Sequence, residues 1–288
     1  MKISFIGPGR VGVSLGKHFQ KYGLQVAGYF GRNQDTVVEA AEFTKSRPFQ
    51  SYAQLLQYSD IVFLTVPDRI IAEIWDSLKT LPLNGKIICH CSGALTTEVF
   101  QGADGLDVDV FSIHPLASMH NRWDCYENLK DACFSVEGNR DRLKPIYALF
   151  QMLPNKLQYL EASEKAKYHA ACVMASNFVN AITAMSERLL VSCGLPEEFA
   201  HEGWRNLFLW NVHNMLSDGI TQSLTGPVER NDSVTIQRHL DVLRGDDREI
   251  YRLLSSELVK IASIKNPDRD YTPLEKLLSL STGRAEQA

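Results

Sequence analysis

Lys2-Ile3-Ser4-Phe5-Ile6-Gly7-Pro8-Gly9-Arg10-Val11-Gly12-Val13 sets three glycines at G-x-G-x-x-G spacing between an apolar strand pattern and a helical one. Ile3, Phe5 and Ile6 supply the strand, and Val11, Leu15, Phe19 and Tyr22 recur at helical spacing behind it. Each glycine then has its own task. Gly7 turns the chain sharply out of the strand, Gly9 lets backbone amides approach a pyrophosphate, and Gly12 lets helix pack closely on sheet. The phosphate sits on a helix N-terminus, where unpaired N–H groups and the helix dipole attract it. The stretch predicts a dinucleotide-binding α/β domain.

Alternating strand and helix patterns continue through the first half, as a parallel sheet with crossover helices requires. Strands are expected at residues 2–6, 24–30, near Phe49, 61–66, 86–91, 108–113, 133–136 and 157–160, with helices at 34–44, 52–57, 70–78 and 142–153. Beyond Leu160 the strands stop, and helical periodicity runs through 162–193, 196–216, 234–243 and 248–264. The expected architecture is a doubly wound, mostly parallel α/β Rossmann domain over residues 1–160, followed by an all-α domain over 161–288 for substrate binding and dimerisation. The segment 162–193 lacks internal Gly or Pro and is apolar around most of its circumference. It predicts one central helix packed on several sides, at a homodimer interface or inside the subunit. The tail after Ser281 reads as frayed.

With 288 residues and 44% hydrophobic content, the chain can bury a core in each of two domains. A formal net charge of −4 gives no basic field for nucleic acid or an anionic membrane, so a small ligand gripped by a local site is the expected partner. No apolar run is long enough to span a bilayer and a strand begins at residue 2, so no signal peptide is expected and the cytoplasm is the expected compartment. Six cysteines (Cys89, Cys91, Cys125, Cys133, Cys172, Cys193) are too sparse for a disulfide scaffold and read as reduced thiols. Cys89-His90-Cys91 invites a metal reading, but alternation along a strand turns both cysteines to one face and His90 to the other, so no metal site is expected.

In an NAD-selective site, an acidic residue at the end of the second strand holds the adenosine ribose. Gly28-Tyr29-Phe30-Gly31-Arg32-Asn33 has none there. Arg32 can pair with a 2′-phosphate, Asn33 can donate to it, and Arg10 in the glycine loop adds a second cation, so the expected cofactor is NADP. Ligands of open α/β sheets lie beyond the strand C-termini, which brings in Val66-Pro67-Asp68 and Cys91-Ser92-Gly93 as further cofactor wall. Pro67 also suits a strand end and Ser92 a helix cap.

Three segments carry candidate chemistry. His114-Pro115 follows the strand ending at Ile113, where an imidazole can donate a proton to a substrate oxygen, orient a carboxylate, or simply fix the turn. On the long helix, at 100° per residue, Lys165, His169, Ser176 and Asn180 fall within about 60° of one another, with Asn177 at the margin. Such a polar stripe on an apolar helix suits an interdomain cleft, although Lys165 can be solvated and Ser176 can bond back to a carbonyl. Ser223-Leu-Thr-Gly-Pro-Val-Glu-Arg-Asn-Asp-Ser233 joins two helices and suits an anion. There Thr225 lines the turn, Arg230 can clamp a carboxylate, and Asp232 can hold Arg230 or cap the next helix.

Gly7-Pro-Gly-Arg-Val-Gly12, Ser92-Gly-Ala94, His114-Pro-Leu116, Tyr168-His-Ala-Ala171 with Ser176-Asn-Phe178, and Thr225-Gly-Pro227 with Arg230 and Asp232 resemble one family across essentially the whole chain. It is the Rossmann-like proteins carrying a C-terminal domain of unknown function 2520. More broadly the chain is similar to the clan of ketopantoate reductase, β-hydroxyacid dehydrogenases, pyrroline-5-carboxylate reductase and deazaflavin-dependent NADP reductases. That resemblance implies NADP-dependent reduction, usually by a homodimer, with ketopantoate as the leading substrate because one similar branch is an alternative ketopantoate reductase. β-Hydroxyacid dehydrogenases carry Lys-x-x-x-Asn on the first interdomain helix, whereas the nearest match here is Lys165-x-x-x-His169.

The resemblance thus implies hydride transfer to a carbonyl carbon, with His169 or Lys165 protonating the alkoxide, Asn177 positioning the carbonyl and Arg230 the acid group. Two other functions remain open at this level. A cyclic-imine reductase of pyrroline-5-carboxylate type needs no strong acid on the helix, and a sensor protein would bind NADP without chemistry. A charge-assisted hydrogen bond to phosphate contributes about 1.5–3 kcal/mol, so Arg32→Ala should weaken NADP roughly ten- to hundredfold and leave NAD nearly unchanged in paired titrations. Equal losses for the two cofactors contradict the assignment.

Overall fold

The computed structural model describes residues 1–279; the tail after Ser281, expected to fray, lies outside them. Among the described residues, β1 (Lys2–Ile6), β2 (Gln25–Phe30), β3 (Arg47–Pro48), β4 (Ile61–Leu64), β5 (Lys86–His90), β6 (Val108–Pro115), β7 (Phe134–Gly138) and β8 (Leu157–Tyr159) form one sheet. Its order is β3-β2-β1-β4-β5-β6-β7-β8, parallel except for the antiparallel β6–β7 pair. The chain runs outward from β1 to β3, then returns to β4 on the other side of β1. This reversal opens a crevice at the C-terminal ends of β1 and β4, where doubly wound sheets take dinucleotides.

β4 is apolar at every position, and β1 and β5 are mostly so, because both faces of the sheet are covered. Ile61, Phe63, Ile87 and Cys89 enter the layer that also holds Val13, Leu15 and Phe19 of α1 (Arg10–Lys21). Val62, Leu64 and Ile88 enter the opposite layer, with Ile71, Ile74, Trp75 and Leu78 of α4 (Asp68–Leu78). Helices α2 (Gln34–Phe43), α3 (Tyr52–Gln57) and α5 (Lys144–Phe150) complete the coverage. Strand β6 runs two residues past its expected end, because His114 pairs with Ser135 and Pro115 with Phe134 on β7. His114 therefore lies in the strand's last turn of pleat, not after it.

The segment expected as one helix, 162–193, is two. α6 (Lys165–Ala175) and α7 (Asn177–Ser192) break at Ser176, whose φ of −126° and ψ of −75° are non-helical. The Ser176 hydroxyl donates to the carbonyl of Cys172 at 2.7 Å, a backward bond that competes with helix continuation. In the single chain, Phe178 is 49% and Ile182 43% exposed. α8 (Glu197–Ser223) bends at Gly219, and α9 (Ser233–Val242), α10 (Gly245–Lys265) and α11 (Thr272–Ser279) follow. Ile236, Leu240, Val259, Ala262, Leu274 and Leu278 form the core of that helical set.

Residues 1–177 form one compact unit and the chain from Phe178 onward a second, so α6 belongs with the sheet although the sequence boundary was expected after residue 160. The cause is polar. Lys165 and Tyr168 of α6 hydrogen-bond to side chains of β6 and β7. No described helix is long and apolar enough to cross a membrane.

Candidate active site

Gly7 sits at φ 107°, and a Cβ there would come within 2.6 Å of the Thr65 carbonyl oxygen. At Gly12 a Cβ would lie 2.4 Å from the Gly7 carbonyl and 2.5 Å from Thr65 Oγ1, so the loop closes only with glycines at both positions. Thr65 Oγ1 donates to the Gly7 carbonyl at 2.7 Å and ties the loop to the end of β4. Gly9 is the N-cap of α1; no side chain caps that helix, and Arg10, Val11 and Gly12 open it without an acid in the first turn. Those amides suit a pyrophosphate.

Pro8 packs on Gly31, where a Cβ would meet Pro8 Cδ at 2.7 Å. Arg32 and Asn33 are exposed beyond it, and Asn33 Oδ1 accepts from Asp35 N (2.9 Å) and Thr36 N (3.2 Å) as the cap of α2. The cap holds the Asn33 amide beside Arg32. Val66 packs at Gly7 and Pro67 precedes α4. Ser92 Oγ donates to Asp68 Oδ2 at 2.7 Å and accepts from Ala94 N and Leu95 N, clamping the ends of β4 and β5 together. These residues fit a dinucleotide laid across the crevice.

Gly93, just past β5, is the meeting point of the chemistry. A Cβ there would lie 2.5 Å from His169 Cδ2 and 2.9 Å from His114 Nε2. Only a residue without a side chain lets the two imidazoles converge, and their rings stand 6.3 Å apart at 82°. His114 Nδ1 lies 2.7 Å from the Tyr168 hydroxyl, which also accepts from Ser135 Oγ at 3.0 Å. Lys165, one turn before His169, is 1% exposed and donates from Nζ to Ser112 Oγ at 2.5 Å.

Burial pulls the Lys165 pKa down, while Glu137, Cys91 and Asp68 oppose that shift. Glu137 is itself buried, its oxygens accepting from Thr97 N (2.9 Å) and Thr97 Oγ1 (2.7 Å). His114 is pushed down to about 4, first by burial, then by the Lys165 charge and by His169. His90 is also pushed down to about 4, again by burial first and Lys165 second. Both rings are neutral near pH 7. The Cys91 thiol, pushed up to about 12 by burial, carries no charge there either. A buried cation beside neutral imidazoles stabilises negative charge forming on a carbonyl oxygen.

Ser176 spends its hydroxyl on Cys172 and Asn177 Oδ1, and the break at Ser176 ends the 100° bookkeeping that aligned Asn177 and Asn180 with His169. Asn180 is exposed on α7. In the second unit, Thr225 and Arg230 are exposed on their connector. Asp232 caps α9 through Thr235 N (3.0 Å) and Thr235 Oγ1 (2.7 Å), bonds that hold its carboxyl below the usual range. Ser112 and Thr65 were not singled out as site residues from the sequence; each bonds to a residue more than 50 positions away, Ser112 to Lys165 and Thr65 to Gly7.

Cys89 and Cys91 pack in one layer while His90 turns to the other, its Nδ1 accepting from Ser92 N and its Nε2 donating to Thr96 O. Elsewhere His120, Asp124 and Cys125 bring three ligand-type atoms within 4.8 Å of one another, one short of a tetrahedral set.

Two family models match the chain: NADP oxidoreductase, coenzyme F420-dependent, over residues 2–92, and the domain of unknown function DUF2520 over residues 132–258. No curated protein sequence matches it. Among solved structures, Thermotoga maritima TM1727 is 25% identical, with 91% of this chain and 99% of that one covered at a TM-score of 0.71. BF3122 of Bacteroides fragilis, described as an NADP oxidoreductase, is 20% identical over 90% of this chain and 98% of its own, TM-score 0.67. Plasmodium falciparum pyrroline carboxylate reductase with NADP bound is 14% identical over 92% and 96%, TM-score 0.57.

Lys165→Met removes the charge that helps keep His114 neutral. Its NMR titration midpoint should rise from about 4 toward the ordinary 6.5, and an unmoved midpoint contradicts the coupling.

Proposed function

We propose that the chain, which matches the NADP oxidoreductase model over residues 2–92 and DUF2520 over residues 132–258, is an NADP-dependent oxidoreductase that reduces the carbonyl of a small anionic compound, a 2-oxo acid such as ketopantoate. Support comes from the convergence of His114 and His169 on Gly93, with the buried ammonium of Lys165 one helical turn away. NADPH bound along the glycine loop supplies the hydride. Reduction leaves negative charge on the carbonyl oxygen, which these residues must stabilise and protonate.

His169, half-buried at Gly93, is assigned the proton transfer. Neutral His114 donates a hydrogen bond to the same oxygen. Lys165, buried against Ser112, contributes its charge without touching the substrate. Arg230, exposed on its connector, is kept for the substrate's acid group on chemistry alone. A protonated imine would be repelled by the Lys165 charge, which favours a neutral carbonyl over the cyclic-imine alternative. The exposed apolar side chains of α8, Leu207 (66%), Trp210 (68%) and Leu216 (82%), support a second copy of the chain as their cover.

A panel of ketopantoate, other branched 2-oxo acids, semialdehydes and pyrroline-5-carboxylate, followed by NADPH absorbance, should give turnover with a 2-oxo acid. His169→Ala should slow single-turnover hydride transfer by about a hundredfold or more while NADPH binding is kept. Turnover confined to the imine, and surviving loss of both Lys165 and His169, overturns the carbonyl assignment.

A further inference from the structure

We propose that Tyr168 is a positioning residue: its hydroxyl, held by Ser135, donates to His114 Nδ1 and locks the imidazole as the Nε2–H tautomer, aiming that proton past Gly93 at the substrate oxygen. This rests on the carbonyl-reduction reading above. A neutral imidazole has one N–H, and the hydrogen bond at one ring nitrogen decides which nitrogen carries it. The phenol has one proton to give. Ser135 Oγ already donates to the phenol oxygen at 3.0 Å, Nδ1 lies 2.7 Å from it, and the Cys172 thiol that also hydrogen-bonds to the phenol is the weaker acceptor, so the phenol proton goes to Nδ1.

The opposite tautomer would make the phenol oxygen accept from both Ser135 and Nδ1 and would turn a bare Nε2 lone pair toward the substrate oxygen. Two lone pairs would then face each other. Nothing in the strand lets the ring escape the choice, since His114 and Ser135 are direct partners across the β6–β7 ladder and the Tyr168 ring stands at 87° to the imidazole. Burial pushes the Tyr168 hydroxyl up to about 12, so it remains a donor across the neutral range.

The test is NMR of the full chain labelled with 15N-histidine, with and without NADPH. The native protein should show the Nε2–H pattern for His114. Tyr168→Phe should lose it, and the His114 titration midpoint should rise, because the bond that favours the neutral ring is gone. Steady-state kinetics should show kcat lower by about ten- to hundredfold, as for other residues that orient a catalytic ring, with NADPH affinity unchanged. Ser135→Ala, which leaves the phenol in place, should shift the tautomer balance in the same direction by less. In a His114→Gln background, Tyr168→Phe should cost nothing further. A native Nδ1–H tautomer, or a Tyr168→Phe protein with unaltered tautomer and midpoint, overturns the proposal. The NMR outcome stands apart from substrate choice: an intact tautomer lock without 2-oxo acid turnover would count against the carbonyl reading and not against Tyr168.

Discussion

The ammonium of Lys165, buried on α6 and donating to Ser112 on β6, is the interaction on which the rest of the site depends. A lone buried cation is expensive, and here it persists because a hydrogen bond and the nearby carboxylates of Glu137 and Asp68 offset its desolvation. Its position has two consequences. It fastens α6 to the sheet, so His169 is presented at the end of β5 by a rigid helix. Together with burial, which is the larger cause, it also keeps His114 and His90 neutral.

The glycine loop and this cluster belong to one sheet edge. The C-terminal ends of β1 and β4 form the crevice that would cradle the cofactor, and the ends of β5 and β6 carry Gly93 and His114 a strand or two further along. The bond from Ser92 to Asp68 holds the β4 and β5 ends together. In the proposed function, the parallel order of the sheet brings hydride source and proton donors to the same edge.

Much of this was legible in the chain because burial on both faces writes itself as unbroken apolar runs, as in Ile61-Val-Phe-Leu64. The glycine loop was legible for a different reason: its spacing is demanded by backbone contacts that only glycine survives. What was not legible is non-local. Lys165 and Ser112 are 53 residues apart, and His114 and Tyr168 are 54 apart, so no local pattern pairs them. The break at Ser176 was hidden too: its backward bond was readable, but neither Gly nor Pro marks the end of a helix there. Extension of β6 to Pro115 depended on β7, an antiparallel partner that periodicity alone does not assign.

Transfer of deuterium from NADPH labelled at nicotinamide C4, on either face in separate samples, tests the central claim most directly. With ketopantoate or a related 2-oxo acid, one of the two labels should appear at C2 of the 2-hydroxy acid product, seen by mass spectrometry and NMR. Tight binding of the labelled cofactor with no deuterium delivered to any 2-oxo acid would contradict it.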